Sequence, residues 1–402
     1  MKRSAIIMII SIFAGGVILN SCKDDGYVAS VTGLQLASVS PSTGYSGGII
    51  KVLGRNFSEV FGENQVFVGE LEAQVLEYNS WDLTVVLPDQ EPGIYGITVK
   101  TPAGTVSGLQ FEYKEKPEHD YVLSTIAGGS VGFADGNGAG AKIHQPEGIA
   151  MDSNGNLWIT QRGTSGWAVR KMDRNYNVTT VSKTELPWHC SFDEAGCFYF
   201  TAKDKKAVYK IAADGTLGTV PFTGGELDNP MDVEFDRDGA MWVASRNNNK
   251  VYKVVGTAVV KAYDIKYPTC LSLDPEGRMI VGSTTAGYMY MIEGDSAPVA
   301  IAGNGSYAKS ENPDGNAGDT STASVGQVNG ICAAADGSIW FADVSNQRVR
   351  RITPGASCDF TKGKIETIAS GFYPSDVYVT DDCTKVYVSS ATTHTIRLIE
   401  IF

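Results

Sequence analysis

From Pro146 onward, apolar and polar residues alternate in short runs that stop at an Asp/Gly turn and then resume. The same phrase returns six times: PEGIAMDSNGNLWIT, PWHCSFDEAGCFYFT, PMDVEFDRDGAMWVA, PTCLSLDPEGRMIVG, VNGICAAADGSIWFA and PSDVYVTDDCTKVYV. Alternation at period two around a tight turn is the pattern of an antiparallel hairpin with one face buried. The copies begin at Pro146, Pro187, Pro230, Pro268, Val328 and Pro374, in steps of 41, 43, 38, 60 and 46 residues. A third strand follows each hairpin (AVRKM, AVYKI, KVYKV, YMYMI, RVRRI, TIRLI), and in five copies a fourth (NVTTV, TLGTV, AVVKAY, PVAIA, KIETIA). The sixth copy reaches Ile401-Phe402 without a fourth strand, while a strand-like run, Tyr121–Ala127, precedes the first copy. Six four-stranded repeats near forty residues predict an all-β, six-bladed propeller over 121–402. The N-terminal strand is expected to complete the last blade and hide both open edges.

A different alternation fills residues 31–114, where Val/Ile/Leu strands are separated by turns rich in Pro and Gly, as in a small β-sandwich. Ser40-Pro41 with Gly44, Gly47 and Gly48, then Gly54-Arg55-Asn56-Phe57, Val68-Gly69, Leu87-Pro88 and Pro92-Gly93 run through this segment. On these residues it resembles the IPT/TIG family of immunoglobulin-like domains. That resemblance implies a spacer, or a second glycan-binding surface. Residues 115–120 form a short polar linker.

The propeller repeat resembles the NHL type. Two Gly-rich connectors carry the likeness furthest, IAGGSVGFADGNGAGAKIHQPEGIAMD and IAGNGSYAKSENPDGNAGDTSTASVGQVNGICAA. Neither leads into a helix or carries a Walker-type Lys, so they read as turn-forming loops rather than phosphate cradles.

Residues 1–21 stand apart from the folded pattern. Lys2 and Arg3 precede an apolar run, Ile6 to Leu19, too short for an ordinary membrane span, and Leu19-Asn20-Ser21 leads into Cys22. This resembles the lipobox of bacterial lipoproteins, and Lys23-Asp24-Asp25 resembles the surface-export signal of Bacteroidetes lipoproteins. The resemblance implies lipidation at Cys22, a tether over 22–30, and a protein anchored in the outer membrane, facing the cell exterior. The formal net charge of −12 argues against nucleic acid as a partner. With 43% hydrophobic and 19% charged residues, the chain is globular.

Function in propellers concentrates on the face built by the connectors into each first strand and by the loops between second and third strands. Three constellations converge there. Glu147, Asp232, Asn329 and Asp376 are oxygen ligands suited to Ca²⁺, or carboxylates that satisfy backbone amides. His189 with Asp232 or Glu147 offers acid–base chemistry. Trp167, Trp188, Tyr288, Tyr307 and Tyr373, among Arg162, Arg246, Asn247 and Asp343, offer flat faces and hydrogen bonds for a sugar. Trp158, Tyr199, Trp242, Trp340 and Tyr387 share one strand position in five copies and read as packing between blades. Cys358 and Cys383 fall in loops expected on the opposite face of neighbouring blades, a placement that permits a disulfide. These features are compatible with three functions: capture of extracellular polysaccharide or oligosaccharide, in company with an outer-membrane transporter; a Ca²⁺-dependent hydrolase or lyase; and a protein–protein scaffold.

Overall fold

The structure, a computed structural model, describes residues 33–44, 47–113, 119–163, 166–184, 186–307, 310, 314, 320–355 and 358–402. The signal-like segment, the tether with Cys22 and most of the linker lie outside these residues. The chain divides into two compact units, Met1–Glu118 and His119–Phe402.

The first unit is a sandwich. Gln35–Ser40, Ile49–Arg55 and Asp82–Val86 make one sheet. Gln65–Val68, Gly93–Thr101 and Gly104–Tyr113, with Thr43–Gly44, make the other. Leu71–Tyr78 passes from one to the other, pairing with Gln65–Val68 at its start and with Asp82–Val86 at its end. Strand Ile49–Arg55 alternates strictly between exposed and buried, as a sheet with one solvated face demands. Ile50 and Val52 from it meet Leu83, Val85, Val66, Val68, Ile97, Val99 and Phe111 in the core.

The second unit is the six-bladed propeller. Each blade is an antiparallel sheet whose strands follow chain order, with first strands at Pro146–Met151, Pro187–Phe192, Pro230–Phe235, Pro268–Leu273, Val328–Ala333 and Asp376–Val379. Tyr121–Gly128 pairs with Thr395–Ile401 and supplies the fourth strand of blade six. Second strands are buried at every position in blades two to five because a neighbouring blade covers each face. The recurrent aromatic of those strands sits in these seams: Trp242 and Trp340 are buried, and Trp158 packs on Phe192 and Phe198. In blades one and three the turn Asp of the hairpin fixes the neighbouring seam. Asp152 Oδ1 accepts the amides of Asn154 and Asn156, and its Oδ2 accepts the Trp158 indole N–H at 3.0 Å. Asp236 does the same with Asp238, Ala240 and Trp242.

The first Gly-rich connector is more ordered than a turn-forming loop. Gly136–Asn137 pairs with Asn177–Val178 as a fifth strand on blade one. The cause is Arg170, fully buried in the third strand, which donates to the Ala134 carbonyl at 3.0 Å and to Asp135 at 2.9 Å. Blade five repeats the device: Arg350 is buried and pairs with Asp314 of the second Gly-rich connector at 3.0 Å. Each connector is thus held by an arginine of the blade it precedes.

Candidate functional site

The first strands line the central channel, and alternation decides which residues enter it. The third and fifth positions of the repeat point inward. A cavity of about 260 Å³ is lined by Ser191, Asp232, Glu234, Ser272, Cys332, Asp376 and Tyr378, with neighbouring apolar positions. Glu234 is half-buried and lines this cavity.

The expected calcium ring is not assembled as a metal site. Asp232 accepts the amides of Val233 and Leu271, at 2.8 Å each. Asp376 accepts those of Val377 at 2.8 Å and Ile149 at 2.9 Å. Each carboxylate therefore stitches its own first strand to a neighbouring blade, so its lone pairs serve the scaffold. Glu147 is committed to Arg162 at 2.5 Å, and Asn329 is half-buried. Among the described residues, no group of three or more His, Cys, Asp or Glu is placed to hold a metal.

His189 is brought to Asp232, Nδ1 to Oδ2 3.8 Å, and is buried. Burial opposes its charge, but Asp376, Asp232 and Glu147 outweigh it and lift its pKa to about 9. An imidazolium held this firmly is not poised as a general base near neutrality. Its role in the structure is to neutralise the two aspartates. Burial raises Asp376 to about 7 against the pull of His189, and raises Glu234 to about 8.

These shifts share a sign. Between 4.5 and about 8 the folded Glu234 keeps a proton that the unfolded chain has released, and Asp376 does so between 3.8 and about 7. The His189 contribution is complete below 6.5 and is lost as pH rises through about 9. Turn carboxylates such as Asp152 and Asp236 are held below the ordinary range, against their burial, by hydrogen bonds from Asn156 and Trp158 and from Lys253 and Trp242 respectively. Their contribution disappears only in acid. Each differential proton changes stability by about 1.4 kcal/mol per pH unit. The propeller's melting temperature is therefore expected to peak near pH 5 and fall by several degrees toward pH 9, with a shallower fall in Glu234→Gln. A melting temperature that is flat or rises across pH 5–8.5 contradicts this channel electrostatics.

The aromatic set separates by depth. Trp167, Tyr307 and Tyr373 are exposed, at 38%, 51% and 42%. Tyr288 is half-buried. Trp188 is a correction: it is buried, with the Arg162 guanidinium 4.4 Å and the Lys203 ammonium 3.8 Å from its ring centre. It offers no free face to a sugar. Asp343 is a second correction, fully buried and bound to Arg350 at 2.8 Å rather than turned to the mouth. Arg246 is half-buried over Tyr267 and donates to Thr284 Oγ1 at 3.3 Å, and Asn247 is exposed. His144 and His394, 250 residues apart in sequence, meet edge to face at 5.3 Å.

The disulfide is a third correction. Cys358 and Cys383 are both free thiols. Cys358 turns to blade four, donating to Glu276 at 3.2 Å, and its carbonyl accepts from Arg278. The loop leans toward the blade before it, not the one after. Residues that sequence reasoning did not place in the channel are Glu234 and Cys332. Both lie at the fifth position of the repeat, two residues after the inward-facing third position of Asp232 and Asp376, so extending the alternation by one step would have exposed them. On the immunoglobulin-like unit, a shallow concavity of about 420 Å³ is lined by Phe61, Tyr78, Gln65 and Gln74 among others.

Residues 34–113 match the IPT/TIG domain model. No curated protein matches the chain. Among solved structures, it is similar to an auxiliary nutrient binding protein from Bacteroides thetaiotaomicron, at 15% identity and TM-score 0.60, over 92% of this chain and 98% of that one. A protein of the same description from Bacteroides ovatus shares 14% identity, TM-score 0.57, over 92% and 98%. A gluconolactonase from Xanthomonas campestris matches 70% of this chain and 90% of its own, at 15% identity and TM-score 0.54. At these identities the likeness is one of fold, and function has to be argued from the site.

Proposed function

We propose that this chain is a nutrient-binding surface lipoprotein, anchored through Cys22 in the outer membrane, that captures an extracellular polysaccharide or oligosaccharide at the propeller mouth for an outer-membrane transporter. The observation that carries the reading is depth. The recurrent strand aromatics pack into seams, whereas Trp167, Tyr307 and Tyr373 keep exposed faces on the loops of one end. Exposed aromatic faces on the end that also carries the exposed Asn247 and the half-buried Arg162 and Arg246 suit pyranose rings and their hydroxyls. The nutrient-binding description of the two Bacteroides structures, each matched over 92% of this chain, supports the same reading.

Native affinity electrophoresis through a panel of neutral and acidic polysaccharides tests it. Trp167→Ala combined with Tyr373→Ala is expected to weaken retention about tenfold or more while leaving the melting temperature within about 2 °C. Both side chains are exposed, so loss of retention reports contact rather than unfolding. Unchanged retention in the double variant, or a polymer shortened during the run, overturns the proposal.

A further inference from the structure

Resting on the polysaccharide reading above, we infer that the mouth selects an anionic glycan, one bearing uronate or sulfate groups, through a crescent of Arg162, Lys203 and Arg246. These three residues occupy one repeat position, immediately after the second strand of blades one, two and three. The same position in blades four, five and six holds Thr284, Val344 and Ala391. At this position positive charge is thus confined to three consecutive blades, on one half of the mouth. Against a chain of net charge −12, this is a local reversal of sign.

The three cations act on one another. Lys203 lies over Trp188 at 3.8 Å, and Arg162 lies over the same ring at 4.4 Å. Burial, then repulsion from Arg162 and Arg246, outweighs Asp204 and Glu147 and lowers the Lys203 pKa. Charge compensation within the protein is partial. Glu147 answers Arg162, and Asp204 is exposed beside Lys203. Among the described residues neither Lys203 nor Arg246 forms an ion pair.

A second, independent observation comes from beneath the crescent. The Trp188 indole N–H is buried and has no acceptor, and neither has Nε2 of His189. Trp, Arg and Lys only donate, and a protonated His does the same. Beneath Arg162 and Lys203 the unfilled hydrogen-bonding capacity is therefore donor, and the one unpartnered acceptor of this half, Asn229 Oδ1, lies behind Arg246. A neutral sugar hydroxyl would answer one such donor, whereas a carboxylate or sulfate oxygen answers several and meets the charge.

The experiment is native affinity electrophoresis of the intact chain in matched gels. They contain polygalacturonate, its carboxyl-reduced neutral counterpart, dextran sulfate and dextran, each at two salt concentrations. Retention by polygalacturonate identifies a uronate reader, and retention by dextran sulfate a sulfate reader. In either case the neutral partner polymer is expected to bind about tenfold or more weakly, and so is the Lys203→Gln/Arg246→Gln variant on the acidic one. Retention should fall with salt. Trp188→Phe, which keeps the ring and removes the donor, is expected to weaken acidic retention without unfolding. Equal retention of a neutral polymer by wild type and double variant overturns the inference and leaves the polysaccharide reading standing. Acidic retention that survives the double variant overturns the assignment to the crescent. Retention of no polymer, acidic or neutral, overturns both.

Discussion

Arg350→Met is expected to destabilise the propeller by about 3–5 kcal/mol, the cost of leaving a buried charge without its partner. Arg350 and Asp343 are both fully buried, with Nη1 2.8 Å from Oδ2. Arg350 also holds Asp314 and the Ser324 carbonyl, so its loss releases the second Gly-rich connector as well. The equivalent change in blade one, Arg170→Met, is expected to cost less, about 1–3 kcal/mol. There the buried acceptor at the end of the second strand is the neutral Gln161, at 2.6 Å, and Asp135 is half-exposed. Restoring neutrality in Arg350→Met/Asp343→Asn should recover part of the loss. Chemical denaturation of the intact chain, followed by the fluorescence of the propeller's tryptophans, gives the three values. An Arg350→Met midpoint within about 1 kcal/mol of wild type, or an Arg170→Met cost as large, refutes the account.

This pair of arginines also marks the boundary of what the sequence made legible. Period-two alternation is a one-dimensional signal, so strand positions, blade count and the closing strand could be read from it directly. Depth is not one-dimensional. Trp188 stands at a first-strand entrance like the other mouth residues, yet only three dimensions reveal that Arg162 and Lys203 cover it. Asp343 stands at the mouth end of its strand, where a ligand would be sought. Its partner seven residues on, Arg350, belongs to a pattern that was present in the chain: Gln161 and Arg170 in blade one, Asp343 and Arg350 in blade five, each preceded by an Asp-Gly in the connector (Asp135-Gly136, Asp314-Gly315). Comparing the two Gly-rich copies would have identified a structural lock. The carboxylates at Asp232 and Asp376 were open to two readings, and the structure follows the one in which backbone amides claim them. That outcome required knowing which amides of adjacent blades lacked partners, information carried by the ring and not by any single repeat.

The ring itself supplies the largest effect. Residues 129–402 alone, lacking Tyr121–Gly128, are expected not to reach a cooperative native state. That strand pairs with Thr395–Ile401 along its whole length. It also delivers Ile126 and Ala127 into the cluster that joins blades six and one, with Ile149, Ile396 and Leu398. Removing it opens the edge of blade six and uncovers that seam together, and an unpaired edge invites association with other chains. A polar replacement of the strand cannot rescue it, since Gly128 itself is fitted: at φ +83, any Cβ there would overlap the His394 carbonyl. Position in the chain, however, should not matter. Asp120 and Phe402 already exchange backbone hydrogen bonds, Asp120 N to Phe402 O at 3.2 Å and Phe402 N to Asp120 O at 3.0 Å. The two ends therefore stand where a two-residue hairpin would join them. A permuted chain of residues 129–402, Asn-Gly and residues 120–128 is expected to melt cooperatively, within a few degrees of the parent propeller. The unpermuted truncation should elute as oligomers with no defined transition. If the truncation melts like the parent, blade six is stable on three strands. If the permuted chain fails as well, the strand's contribution lies in its place in the chain and not in closing the ring.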